Sequence, residues 1–258
     1  MTNSVNWQER THLLLKEDNV KHLNDSNVLI AGLGGVGGYA AEMLCRAGVG
    51  TMTIIDGDKI QPSNRNRQLL ALQSTQGHRK ALLMKQRLLD INPELNLTVI
   101  DEFIRDERTN EILEEPFGYV VDAIDTLSPK IFLIRQALLK GLPLISSMGA
   151  GGKTDPCQVQ VADFAETYQC NLARMLRKRL KNLGVRNGFK TVFSPEIIDE
   201  EAMLPVYDEP NKKTTVGTIS YMPAIFGCVA ASVVIRDLVG AEYSLTQRPC
   251  RKNKKASV

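Results

Sequence analysis

Between residues 27 and 80 the chain gathers residues suited to binding and polarising phosphate. Gly32-Leu33-Gly34-Gly35-Val36-Gly37 follows the apolar run 27–31 and precedes a segment of small residues, giving the order strand, glycine loop, helix. In that setting Gly32 permits the tight turn and Gly34 lets backbone approach a phosphate. Gly37 lets the helix pack closely on the strand, while Gly35 keeps the loop bare. The unsatisfied N–H groups at the helix start then face the anion. Glycines that only turned the chain would not require this flanking order. Asp56 closes the next apolar run 24 residues after Gly32, near the position of an acidic residue that holds a ribose hydroxyl.

The loop alone does not separate NAD from ATP, because a redox enzyme and an adenylating enzyme both seat a nucleotide there. The residues that follow argue for ATP. Asp56-x-Asp58 precedes Ser63-Asn64-Arg65-Asn66-Arg67-Gln68, and then Gly77-His78-Arg79-Lys80. A dehydrogenase has no need of guanidinium and ammonium groups past its second strand. ATP does, because charge develops on its phosphates when a nucleophile attacks the α-phosphorus. Arginine offers forked donors to phosphate oxygens and lysine a compact positive charge. Any one of these residues suits a solvated loop; their combination with the glycine loop argues against that plainer reading. Asp122-Ala123-Ile124-Asp125 ends another apolar run, at the sheet edge where open α/β folds bind ligands. Asp125 is placed to hold Mg²⁺ against the phosphates, and Asp122 to cap the strand end or steady the loop.

The elements that must position these residues read as alternating strand and helix. Strands are expected at 27–31, 51–56, 97–100, 119–124 and 142–147, with helices at about 36–47, 79–91 and 129–140. The strand runs are apolar throughout rather than alternating, as strands covered on both faces should be. The expected fold is α/β, a Rossmann-like, mostly parallel sheet with helices on both faces. A C-terminal extension should carry antiparallel strands and a basic helix. Residues 1–258 read as one domain: a helical arm (1–26), a nucleotide-binding core (27–148), an extension for substrate (149–240) and a tail (241–258). Residues 157–164 alternate like an antiparallel strand, 171–183 form the basic helix, and 184–216 lack periodicity and read as mobile loops.

Composition narrows the class. The chain has 258 residues, 43% hydrophobic and 24% charged, with a net charge of +3, ordinary for a soluble globular protein. Five cysteines (Cys45, Cys157, Cys170, Cys228, Cys250) contain no CxxC pair, so a four-thiolate zinc site is not expected. Cys170 and Cys228 read as core or incidental thiols. The N-terminus lacks the apolar run of a signal peptide. The uncharged stretch 221–235 is too short to span a bilayer comfortably and reads as a buried helix, so the expected location is cytoplasmic. The basic helix holds Arg174, Arg177, Lys178, Arg179 and Lys181, with no acidic residue from 171 to 190. A solvated helix face usually mixes signs; this one suits a phosphate backbone.

With these residues in view, the chain resembles the MoeB/ThiF branch of the ubiquitin-activating superfamily, whose members adenylate carboxylates with ATP and Mg²⁺. The resemblance rests on GLGGVGG, DGD, the segment Ser63–Gln68, Lys80, INPE (91–94) and DAID (122–125). It implies that Asp56 binds ribose, that Asn64, Arg67, Gln68 and Lys80 surround the phosphates, and that Asp125 binds magnesium. It also implies a homodimer, in which Arg10 reaches ATP in the partner subunit. SSMGAGGK (146–153), LARMLRKRLK (172–181), VFSPE (192–196) and the stretch 217–240 resemble one subfamily, the tRNA threonylcarbamoyladenosine dehydratases. That likeness implies a tRNA substrate whose threonyl carboxylate is adenylated and then captured by a carbamoyl nitrogen. It also points to a cysteine desulfurase system as partner. Tethered attack needs no protein nucleophile, in keeping with the absence of cysteine from 146–153. A sulfur-carrier adenylyltransferase shares the ATP residues, and an NAD-dependent oxidoreductase shares only the glycine loop and Asp56. Residues 149–153 are left open between the substrate base, an alkali cation and neither.

Overall fold

In the computed structural model, which describes residues 7–205 and 214–249, the strand β1 (Asn27–Ala31) turns alternate side chains toward two separate cores. Val28 and Ile30 join one cluster, Leu29 and Ala31 the other, as the two-residue period of a strand requires. The remaining strands of the main sheet are β2 (Thr51–Ile55), β3 (Asn96–Ile100), β4 (Tyr119–Asp122), β5 (Leu144–Ser147), β6 (Gln160–Asp163) and β7 (Lys190–Phe193). Their order is β3-β2-β1-β4-β5-β7-β6, parallel throughout except for the antiparallel pair β6–β7. The helices are α1 (Glu9–Leu15), α2 (Glu17–Asn24), α3 (Gly37–Ala47), α4 (Lys80–Ile91), α5 (Asp106–Ile112), α6 (Leu127–Leu139), α7 (Asn171–Lys181) and α8 (Tyr221–Leu238). Residues of α3, α4 and α8 bury apolar side chains on one face of the sheet, and residues of α5, α6 and α7 on the other. The chain order reverses between β2 and β4, on either side of β1. The crevice beyond the carboxyl ends of these strands is where such sheets bind ligands.

Several expected bounds shift. The N-terminal arm is two helices, broken at Lys16, whose φ of 69° no helix continues through. The expected strand at 157–164 is confined to β6, because Pro156 opens a 3-10 turn over residues 156–158. Helix α5 was not expected, since its polar sequence, DERTNEI, shows no apolar stripe.

Reading 184–216 as mobile loops is corrected over its described residues; 206–213 lie outside them. That stretch supplies β7, which lies between β5 and β6 in the main sheet, and the short antiparallel pair β8 (Met203–Pro205) and β9 (Thr214–Val216). Thr191, Val192 and Phe193 are all buried, so the strand shows neither alternation nor length enough to betray itself.

By length and composition α8 could cross a bilayer. In the fold it lies in the core, with Phe226, Ala230, Val233 and Val234 buried against the sheet and α3. Gly227 permits the crossing, because a Cβ there would strike the Val36 carbonyl oxygen and the Tyr39 side chain. The start of α8 is thereby brought beside the glycine loop.

Candidate functional site

The glycine loop joins β1 to α3. Gly32 has φ of 90° and its N–H donates to Ile55 O at 2.8 Å, so the turn is hung on the end of β2. A Cβ on Gly32 would lie 2.7 Å from Ala123 O, one on Gly35 2.9 Å from Pro223 Cβ, and one on Gly37 would fall on the Gly32 carbonyl oxygen. Packing within the protein therefore accounts for three of the four glycines. Gly34 differs: a Cβ there would have no neighbour closer than Gln68 Nε2 at 3.7 Å. Its bareness keeps a space open rather than relieving a clash, as a phosphate approaching the backbone requires.

Asp56 closes β2 and is tied to this loop. Its Oδ2 accepts the Leu33 N–H at 2.7 Å and its Oδ1 accepts the Asp58 N–H at 2.7 Å. Burial pushes the Asp56 carboxyl above the ordinary aspartate range, although the nearby Lys80 charge and the two backbone donors pull it back. Lys80, at the first turn of α4, donates through Nζ to Asp58 Oδ2 at 2.8 Å. Its neighbour Arg79 is committed elsewhere, with Nε held between both oxygens of Asp101.

The loop after β2 closes the crevice. Asn64 sits in a 3-10 turn, where its Oδ1 accepts the Gln61 N–H at 3.0 Å. Arg67 Nη1 donates to Ser63 O and to Asn66 Oδ1, and the Arg67 Cγ lies 3.5 Å from where a Gly35 Cβ would sit. Gln68 is buried beside Gly34, and its Oε1 has no hydrogen-bond partner among the described residues. The Gln68 atom nearest the space at Gly34 is the amide nitrogen Nε2, a donor. A nucleotide phosphate fits this crevice through the open backbone at Gly34, with the Gln68 amide nitrogen beside it.

Asp125 follows β4 and is exposed, with no hydrogen-bond or ion-pair partner among the described residues. The turn before it packs on the glycine loop through Ala123, at the same edge of the sheet. Asp122 is wholly buried and steadies that turn, accepting the Ile124 N–H at 3.1 Å. Lys130, on α6, is equally buried and pairs with Asp122; sequence reasoning missed it. The available signal was a lone lysine among the apolar residues of LSPKIFLIRQALL. Asn66 was also unassigned, and its Nδ2 donates to Thr218 O at 2.8 Å, joining the Arg67 loop to the strap that leads into α8.

The other expected residues lie apart. Arg10 is exposed on α1, whose neighbour Gln8 packs against Gly48 at the far end of α3 from the glycine loop. On α7, Arg174, Lys178, Arg179 and Lys181 are exposed, while Ala173, Leu176 and Leu180 face the core. Arg177 turns inward, donating to the carbonyl and hydroxyl oxygens of Thr167, and burial lowers its pKa from the ordinary arginine value. The start of α7 lies near 149–153, with Leu172 Cβ 3.9 Å from where a Gly149 Cβ would sit. Lys153 is buried and donates to the Glu196 carbonyl oxygen. It lines a cleft of about 380 Å³ with Gly152, Thr154, Glu196 and Gly217. Cys45 and Cys170 are buried and Cys157 and Cys228 exposed; Cys250 lies outside the described residues.

Comparison with known proteins extends this geometry. The ThiF family model matches residues 8–255. The chain is 36% identical over 237 residues to a Bacillus subtilis protein, tRNA threonylcarbamoyladenosine dehydratase, covering 89% of this chain and 93% of that one. It is also 36% identical over 253 residues to the Escherichia coli protein of the same name, covering 90% and 94%. The crystal structure of E. coli tRNA N6-threonylcarbamoyladenosine dehydratase, TcdA, in complex with ATP superposes with a TM-score of 0.83 at 35% identity. That match covers 93% of this chain and 98% of the other.

Proposed function

The chain belongs to the ThiF family, and on that premise we infer that it is an ATP-dependent tRNA threonylcarbamoyladenosine dehydratase. One observation carries the nucleotide half of this reading: the bare backbone at Gly34, with the Gln68 amide nitrogen its nearest neighbour and Arg67 packed beside Gly35. The tRNA half is supported by the names of relatives matched over nearly the whole chain.

A carboxylate is unreactive toward a weak nitrogen nucleophile because its oxygen is a poor leaving group. Attack of the threonyl carboxylate on the α-phosphorus of ATP breaks the bond to pyrophosphate and leaves an acyl-adenylate. A carbamoyl nitrogen of the same side chain then attacks the acyl carbon and loses its proton, and AMP departs. The five-membered ring that results differs from the starting base by one water. The attacking nitrogen is already tethered, so the protein need supply only position and charge. Asp56 holds the ribose, the Gly34–Gly37 backbone and the start of α3 face the phosphates, and the Gln68 amide nitrogen offers them a donor. Arg67 and Lys80 oppose the charge that builds on the leaving pyrophosphate. Asp125 would hold Mg²⁺, which when bound neutralises phosphate charge; its free carboxylate at the crevice supports that role.

The exposed cations of α7 (Arg174, Lys178, Arg179, Lys181) face the tRNA backbone, with the helix starting near the cleft at 149–153. The chain works as a homodimer in the cytoplasm, where tRNA is used. Two features support the dimer: the exposed Leu13 and Leu14 on α1, and the distance of Arg10 from its own glycine loop. A cysteine desulfurase partner belongs to the same proposal.

Incubation with ATP, Mg²⁺ and tRNA carrying the threonylcarbamoyl group, followed by nucleoside mass spectrometry, tests the reading. Loss of one water from the modified nucleoside, with stoichiometric AMP, is expected. An unchanged nucleoside with intact ATP would overturn it, and pyrophosphate exchange driven by a glycine-terminated carrier protein would replace it with a sulfur-carrier adenylyltransferase.

A further inference from the structure

Asp122, Lys130 and Ser146 form a polar cluster with no exposure to solvent. Lys130 Nζ lies 2.8 Å from Asp122 Oδ2, and Ser146 Oγ donates to the same oxygen at 2.6 Å from the neighbouring strand. Such a pair is a poor way to gain stability, because desolvation opposes the Coulombic attraction and apolar residues of similar volume often serve as well or better. The other buried positions of α6 are apolar: Leu133, Ile134 and Ala137.

The remaining bonds of the pair show what it holds. Asp122 Oδ1 accepts the Ile124 N–H at 3.1 Å, and Lys130 Nζ donates to the Ile124 carbonyl oxygen at 3.0 Å. Both peptide planes that flank Ile124 are thus tied, and the second of them is the bond to Asp125. One residue earlier, the Ala123 N–H donates to Ala31 O at 2.8 Å, and the Ala123 carbonyl packs against Gly32. The turn is therefore anchored to the glycine loop at one end and to the buried pair at the other. Among the described residues Asp125 makes no bond of its own that would orient it.

We propose that Lys130 is a positioning residue: through Asp122 and the Ile124 carbonyl it sets the Asp125 carboxylate against the glycine loop, where the metal-bound triphosphate is held. The proposal rests on the reading of Asp125 given above. It makes the buried charge a matter of nucleotide-bound metal affinity rather than of folding.

Calorimetric titration of ATP into the full chain, at graded Mg²⁺ and in chelator, separates the possibilities. Lys130→Met leaves Asp122 buried and unpaired, so the informative variant is Lys130→Met with Asp122→Asn, which removes both charges. It is expected to fold and melt near the parent temperature. Its half-saturating Mg²⁺ for ATP binding should rise at least about tenfold, the usual loss when a residue supporting a metal ligand is changed. Affinity for ATP in chelator should shift less than about twofold, because the glycine loop and Asp56 are untouched. Parental Mg²⁺ dependence in this variant, alongside a lost dependence in Asp125→Ala, would overturn this proposal alone. An unchanged dependence in Asp125→Ala would overturn the Asp125 assignment and the proposal together. Failure of the double variant to fold would also overturn it, since the pair would then be a requirement of the core.

Discussion

Lys80 Nζ sits 2.8 Å from Asp58 Oδ2, with the lysine side chain 5% exposed and the aspartate 52%. The ammonium is buried while its partner reaches solvent. Replacing Lys80 by Met should lower kcat/KM for ATP by about 100-fold, the scale of one preorganised donor to a developing charge. Asp58→Asn should cost less than about tenfold, because the amide still offers the ammonium an oxygen acceptor. Steady-state AMP release measures both, and the reverse ranking would contradict the placement of Lys80 against the phosphates.

Gly34 and Gly37 should fail in different ways. Gly34→Ala meets no obstruction in the protein, so its melting temperature should stay within about 2 °C of the parent while ATP affinity falls. Gly37→Ala places a methyl group on the Gly32 carbonyl oxygen and should destabilise the fold by several kcal/mol, about 3 or more. Paired thermal melts and ATP titrations distinguish the two.

The raised pKa of Asp56 gives ATP binding an acid limb at higher pH than an ordinary aspartate would produce. The ionised carboxylate is the better acceptor for ribose hydroxyls, so affinity should be level above the raised value and fall as pH drops through it. Stability runs the other way: ionised Asp56 is disfavoured by burial, so its contribution to folding is fullest below the ordinary value near 3.8 and is lost as pH rises through the folded one. Asp56→Asn should bind ATP weakly and without that limb, as titrations across the acid range would show.

On α7 the exposed and inward cations should separate by readout. Neutralising Lys178, Arg179 and Lys181 together should weaken tRNA binding and reduce the slope of log affinity against log salt by up to about three. Arg177→Ala removes bonds to Thr167 and should lower thermal stability, with little change in the salt slope. Equal effects on the slope would place Arg177 in the tRNA interface instead.

Asp237, near the end of α8, is bonded by Lys190, Tyr119 and Tyr243 at 2.6 Å each. Burial alone would raise its pKa, but these donors outweigh burial and hold it below the ordinary value. A depressed carboxylate stabilises the fold above about pH 3.8 and loses that contribution as pH falls through the lower folded value. Asp237→Asn should therefore lower the melting temperature at neutral pH by about 2–6 °C, from about 1–2 kcal/mol. The gap should close in strong acid, and ATP affinity should not change, because the cluster lies at the opposite end of the sheet from the glycine loop.

The sequence by itself determined the parallel core and the nucleotide crevice, because both depend on local patterns. Apolar strand runs, the spaced glycines and the strand-end position of Asp56 are legible within windows of a few residues. Only the tertiary structure decided which residues are spent inside the protein. Arg79 and Arg177 look like their neighbours in the sequence, yet Asp101 and Thr167 occupy them. Lys130 looks like a surface lysine until α6 packs it beneath β4 and against Asp122. Strand β7 stayed hidden because its three buried residues, Thr191, Val192 and Phe193, acquire meaning only between β5 and β6. Each of these outcomes depends on partners far off in the chain, at separations no periodicity records. Burial then sets the cost of leaving a charge unpaired and so determines which pairs must form.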